Sequence, residues 1–128
     1  MYGDRLKQNG VHLTDHEWAT VRLLLDADSK RTVELIPPIG GDKVNTPDIE
    51  TDSIIWEIKG PEGGGKNTIR HNLERAKKQS RNIIIDLRWC RLREESAIKE
   101  LEQRFQLSKR FRRMKIITKD KEILDYSK

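Results

Sequence analysis

The sequence has a single cysteine, Cys90. No internal disulfide can form, so the fold does not depend on an oxidising compartment. Cys90 follows Trp89 at an expected strand end and reads as a packing residue rather than a nucleophile. No apolar run approaches the roughly 18 residues that a membrane-spanning helix requires, and the opening MYGDRLKQNG has no apolar stretch suited to a signal peptide. The expectation is a soluble chain whose export signal, if any, lies outside it. Aromatic residues are scarce: three Trp, two Tyr and two Phe. With Trp18 and Trp56 assigned to the core, few rings remain for a stacking platform, and any nucleic acid would be recognised through its phosphates and shape. Internal repeats and low-complexity segments are absent.

Charge is abundant, and it is unevenly placed. Residues 1–64 carry 7 Lys/Arg against 12 Asp/Glu, a balance of -5, whereas residues 65–128 carry 19 against 9, a balance of +10. A basic half attracts phosphate through counterion release, and a carboxylate-rich half joined to it can hold a cation where the phosphate arrives. Solvated helix faces are the plainer explanation of charge runs, but they do not account for acids gathered on one side. The 128 residues, 34% of them hydrophobic, suit one domain with a modest core, expected over about 13–126.

Residues 13–26 read as an amphipathic helix, with Thr14 and Glu17 forming a capping box and Trp18, Val21, Leu24 and Leu25 at helical spacing. A short strand, TVELI, ends at Pro37-Pro38, and IGGDKVN reads as a loop. Residues 48–59 fold back as a hairpin. After the GPEGGG loop come a helix from Asn67 or Thr68 to about Ser80, the β-branched strand NIIIDL, and a charged helix over 94–107. Strands MKIIT and EILDY close the chain. The fold class is α/β: a mixed central sheet flanked by helices, in the order αβββαβαββ.

The stretch TPDIETDSIIWEIKG holds the chemistry. With a turn centred on Thr51-Asp52, Asp48 faces Ile55, and Ile55, Glu57 and Lys59 share one face because strand side chains alternate. Asp48 and Glu57 become diagonal neighbours on that face, while Ile49, Ile54, Trp56 and Ile58 build the core on the other. Two carboxylates aimed at one point repel unless a cation lies between them, and hard oxygen ligands with open water positions suit Mg²⁺ or Mn²⁺. A lysine two residues on can orient or deprotonate a water or neutralise charge on a phosphate. These are the parts needed to hydrolyse a phosphodiester. A solvent face that happens to carry Glu and Lys is the alternative.

GPEGGGKN imitates a nucleotide-binding loop, with Asp86 as its acidic strand residue, but Asn67 stands where Ser or Thr should ligate magnesium. A nucleotide hydrolase is therefore disfavoured. The glycines, Lys66 and the helix start at Asn67 or Thr68 nevertheless suit an anion. Along that helix Asn72, Ala76 and Gln79 form a stripe from which two amides either look into the site or merely cap and solvate the helix. Arg70, His71, Arg75, Lys77 and Lys78 supply outer charge. His12, His16 and His71 read as surface residues rather than bases.

The elements Pro47-Asp48 and Glu57-Ile58-Lys59 resemble the PD-(D/E)xK nuclease superfamily, whose core is αβββαβ. More specifically, TPD, WEIKGP, KNTIRHNLERAKKQSRNIIIDLR and IITKDKEILD resemble the C-terminal nuclease domain of CdiA-type contact-dependent growth inhibition toxins, over roughly residues 32–125. The resemblance implies a divalent-metal-dependent nuclease that cleaves tRNA in a recipient bacterium and is blocked by a cognate immunity protein. Such a domain is exported as the C-terminal part of a larger protein and acts in the target-cell cytoplasm. By position it implies Asp48 and Glu57 as metal ligands, Lys59 as catalytic, and Glu17 as the acidic residue of the first helix, a role that competes with its capping box. Lys66, Asn67, Thr68, Arg70, Asn72 and Gln79 are the expected nucleic-acid contacts. A DNA nuclease of phage or restriction type and a non-catalytic nucleic-acid-binding module are the alternatives. Residues 66–119, with 17 Lys/Arg against 6 Asp/Glu, lead us to expect an acidic immunity protein.

Overall fold

The computed structural model describes residues 1–41 and 46–128. The expected IGGDKVN loop lies partly outside the described residues. The first helix, α1 (Asp15–Ala27), starts where Thr14 caps it. The Glu17 amide donates to Thr14 Oγ1 at 3.2 Å, and the Thr14 amide donates back to Glu17 Oε1 at 2.9 Å, which closes the capping box. Strands β2 (Val33–Leu35), β3 (Ile49–Thr51) and β4 (Ile54–Lys59) form an antiparallel meander. Helix α2 (Thr68–Lys77) then leads to β5 (Asn82–Asp86), and α3 (Glu94–Leu107) leads to β6 (Arg113–Ile117); β4, β5 and β6 run parallel. The last strand, β7 (Ile123–Ser127), folds back antiparallel.

One strand has no counterpart in the sequence reading. Leu6–Lys7, here β1, pairs in parallel with Val33 and Glu34 and starts a seven-stranded sheet whose spatial order follows the chain. Two residues are too few to show a period of two, so only the pairing defines them. The preceding residue explains why the segment docks: the Arg5 guanidinium donates to the carbonyls of Leu25, Asp28 and Arg31, closing the C-terminal end of α1.

The sheet divides the core in two. On one face α1 lays Val21, Leu24 and Leu25 on Val33, Leu35, Ile49, Trp56, Ile58 and Ile84. On the other, α2 and α3 lay Ile69, Leu73, Leu101 and Phe105 on Ile83, Ile85, Met114 and Ile116. Strand β5 has helices on both sides, which is why Ile83, Ile84 and Ile85 are all apolar and fully buried. The cover given by α2 and α3 runs out beyond β4. There Ile55 is 45% exposed, and Glu34 and Glu50 lie open to solvent. The seam where α2 stops covering the sheet is where the charged residues of β4 collect.

Candidate active site

The hairpin turn falls at Asp52-Ser53, one residue later than expected. Both residues adopt the left-handed conformation, φ 57° and 63°, as a two-residue turn with primed geometry demands. Ile49 therefore opposes Trp56, Glu50 opposes Ile55, and Thr51 opposes Ile54. The paired residues end at Ile49 and Trp56, and the Asp48 amide also donates to the Trp56 carbonyl at 3.0 Å, with the Asp48 carboxylate close enough to Glu57 to act on its charge. Pairing moves by two along the strand, which preserves the faces: Asp48, Glu57 and Lys59 stay together on the side away from Trp56 and Ile58.

These three residues meet under a cavity of about 490 Å³ whose lining also includes Glu17, Arg75, Lys78 and Gln79. Asp48 is 1% exposed and Glu57 2%. The Ile58 amide donates to Asp48 Oδ2 at 2.8 Å, fixing that carboxylate. Lys59 Nζ lies 3.0 Å from Glu57 Oε2. Glu57 Oε1 is buried and accepts no hydrogen bond. Burial, reinforced by the negative charge of Asp48, pushes the Glu57 carboxyl up to about 8, and Lys59 offsets only part of this. The protonated form can donate toward Asp48.

A divalent cation fits this donor set. A buried carboxylate oxygen without a donor, facing a second carboxylate, is the environment that a metal would satisfy, and two carboxylates leave coordination positions for water and a phosphate oxygen, as Mg²⁺ prefers. Among the described residues no group of three or more His, Cys, Asp or Glu side chains is placed to hold a metal. The protein's share is Asp48 and Glu57.

Glu17 closes its capping box and also lines the cavity, so capping does not take it away from the cluster. Gln79, just beyond α2, lines the cavity as well. Asn72 lies in an adjoining cavity of about 220 Å³ with Thr14, His16, Glu17, Lys59 and Arg75. Its amide donates to the Thr68 carbonyl at 2.8 Å and accepts from Arg75 Nη2 at 3.1 Å, so it orients Arg75. Sequence reasoning assigned Arg75 and Lys78 to the outer surface. Asn72, Arg75 and Gln79 stand at i, i+3 and i+7, and that stripe was the available signal for Arg75.

Lys66, Asn67, Thr68 and Arg70 line neither cavity. Arg70 lies in a groove between α2 and α3 with Leu73, Lys77, Arg104 and Phe111. Asn67 occupies the N-cap position but makes no side-chain cap bond. Thr68 Oγ1 accepts from the Gly65 amide at 3.1 Å, and a Cβ at Gly63 would lie 2.8 Å from that oxygen, which explains a glycine there. The loop is occupied with its own packing: Gly63 O accepts from the Arg91 amide at 3.2 Å, and Cys90 is buried beneath it. His16 stacks on Trp89 with ring centroids 3.9 Å apart and lies 3.3 Å from Glu62.

Because the Glu57 carboxyl is raised when folded and ordinary when unfolded, it contributes stability that is fully present below its unfolded value and is lost as pH rises through about 8. In chelator, Glu57→Gln should melt above the wild type at pH 8, and the gap should close toward about pH 5. A gap independent of pH would mean that Glu57 ionises normally in the fold.

A mixed seven-stranded sheet thus carries two buried, neighbouring carboxylates and a lysine at an open cleft. The family model of the contact-dependent growth inhibition CdiA C-terminal domain matches residues 45–123, and the chain belongs to that family of toxin domains. Among solved structures, the chain is similar to the "CdiA-CT/CdiI toxin and immunity complex from Burkholderia pseudomallei", at 14% identity and a TM-score of 0.63 over 96% of this chain and 98% of that one. That likeness is one of fold. No curated protein matches the chain.

Proposed function

We propose that this toxin domain is a metal-dependent endonuclease of the PD-(D/E)xK type, cleaving phosphodiester bonds in RNA, with tRNA of a recipient bacterium as its substrate. The observation that carries the reading is the Asp48, Glu57 and Lys59 cluster, in which a buried carboxylate oxygen lacks a hydrogen-bond donor beneath an open cavity. Asp48 and Glu57 would hold a divalent cation, which when bound would supply positive charge toward a phosphoryl oxygen and lower the pKa of a water. Lys59, on the rim of the cluster, orients the attacking water and offsets the charge that builds on the phosphate. Arg75 and Lys78 draw the phosphate inward, and Glu17 and Gln79 bound its position with polar atoms. RNA, and tRNA within it, is supported by the family likeness; the carboxylate and lysine chemistry serves any phosphodiester.

A domain that attacks its producer's own nucleic acid requires a neutralising partner, and the similar fold of a chain solved in a toxin and immunity complex supports one here. The basic surface favours an acidic immunity protein that competes with substrate and associates more slowly as salt rises.

Incubation with total tRNA, ribosomal RNA and duplex DNA, with Mg²⁺ or with excess chelator, tests the reading. The expected result is RNA cleavage that chelator abolishes, together with a rise in melting temperature when Mg²⁺ is added. Cleavage undiminished in chelator overturns the metal mechanism. Cleavage of DNA alone makes the domain a DNA nuclease, and binding without cleavage of any substrate makes it a nucleic-acid-binding module.

A further inference from the structure

The sequence reading placed the phosphate contacts at the start of α2, around Lys66, Asn67 and Thr68. In the fold those residues lie off the cavity, with the ten-residue α2 between them and Lys78, a distance of about 15 Å. At the other end of α2 the cations continue. Lys78 lines the cavity, Arg81 follows it at the start of β5, and the Arg112 amide donates to the Arg81 carbonyl at 2.8 Å, bringing Arg112 alongside. All three side chains are exposed, and among the described residues none forms an ion pair. Nearby cations are committed elsewhere: Arg110 Nε donates to the Lys77 carbonyl at 3.1 Å, and the Lys128 ammonium donates to the Phe105, Gln106 and Ser108 carbonyls at the end of α3.

The opposite exit from the cavity is unfavourable to phosphate. Beyond Glu57 the uncovered sheet presents Ile55 and then Glu50 and Glu34, two exposed carboxylates directly opposite each other on neighbouring strands, with Lys7 paired beside Glu34 and the Asn9 side-chain amide donating to Glu34 Oε2 at 3.0 Å. Like charges so placed repel each other and any anion. A polyanion leaving the cavity is therefore pushed from the Glu34 and Glu50 side and drawn to the other.

We infer that Lys78, Arg81 and Arg112 form a track for the sugar-phosphate backbone of the nucleic-acid substrate, leading it out of the cavity along the edge of the sheet where β5 and β6 begin, and that the glycine loop with Lys66 does not bind it. The inference rests on the nuclease reading for its choice of polyanion. It is tested by binding, in chelator so that nothing is cut, with labelled bulk bacterial tRNA and a duplex DNA as probes over a range of salt. Each phosphate contact contributes about 0.7 to 0.9 to the slope of log affinity against log salt, so replacing all three residues with alanine should lower that slope by about 2 to 3 and affinity at least about 10-fold. The single Arg81→Ala should lower the slope by about a third of that amount, and Lys66→Ala should leave it unchanged. An unaltered slope in the triple variant, or an equal loss from Lys66→Ala, overturns the track. If the wild type cleaves no nucleic acid in Mg²⁺ while the triple variant still loses its slope, the nuclease reading fails and the track stands.

Discussion

Replacing Lys59 with alanine is expected to lower cleavage by at least about 100-fold while leaving the melting temperature close to that of the wild type. The Lys59 ammonium lies 3.0 Å from Glu57 on the lining of the cavity, and Glu57, whose carboxyl is already raised to about 8, can keep its proton when that partner is lost. Two losses combine. The cation that offsets charge on the phosphate disappears, and Glu57, without the partner that holds its pKa down, keeps its proton more firmly and binds metal less well. Lys59→Arg restores charge but not the compact ammonium geometry, and should recover only part of the rate. Asp48→Asn should abolish activity to the same degree, because an amide oxygen can still accept from the Ile58 amide but cannot supply the ligand charge. Asp48→Ala is not a clean test, although the alternation of the hairpin places this side chain away from the apolar face and so predicts an intact fold. Asp48 is buried, and its loss leaves the Ile58 amide without that acceptor, at about 1 to 3 kcal/mol. Full activity in Lys59→Ala or Asp48→Asn would remove this cluster from the chemistry.

The largest effect on stability is expected at Trp56, on the opposite side of the same strand. Trp56 is 3% exposed, its indole donates to the Thr51 carbonyl at 3.1 Å, and the Lys115 ammonium lies 5.1 Å from the ring centre. Trp56→Ala removes this buried volume, leaves the Thr51 carbonyl without its indole donor, and uncovers the stem of Lys115. The cost should be about 3 to 5 kcal/mol, lowering the melting temperature by about 10 °C or more. Calorimetry of the two variants side by side separates the faces of β4. If Trp56→Ala melts like the wild type and Lys59→Ala is the one that unfolds, the assignment of faces is reversed.

What the sequence determined by itself was local. The capping box of Thr14 and Glu17, the start of α3 at Glu94, and the apolar run of β5 follow from patterns within a few residues of each position, and the structure has each of them. The alternation in IIWEIK assigned Trp56 and Ile58 to one side of the sheet and Glu57 and Lys59 to the other whatever the register, because a strand has a period of two. Tertiary structure decided what touches. A turn at Asp52-Ser53 rather than Thr51-Asp52 is a choice among left-handed conformations available to Asp and Ser, and it sets which residues of β3 and β4 are paired. The burial that raises Glu57 comes from packing across the sheet, and no neighbour in the sequence encodes it. The docking of β1 on β2 depends on a two-residue pairing and on Arg5 reaching the end of α1. The convergence of Arg75 and Lys78 on the cavity, and the separation of Lys66 from it, depend on how α2 lies across β4. Periodicity names the face that a side chain takes, but only long-range packing sets the distance and the dielectric between side chains, and those two quantities turn a set of charged residues into a site.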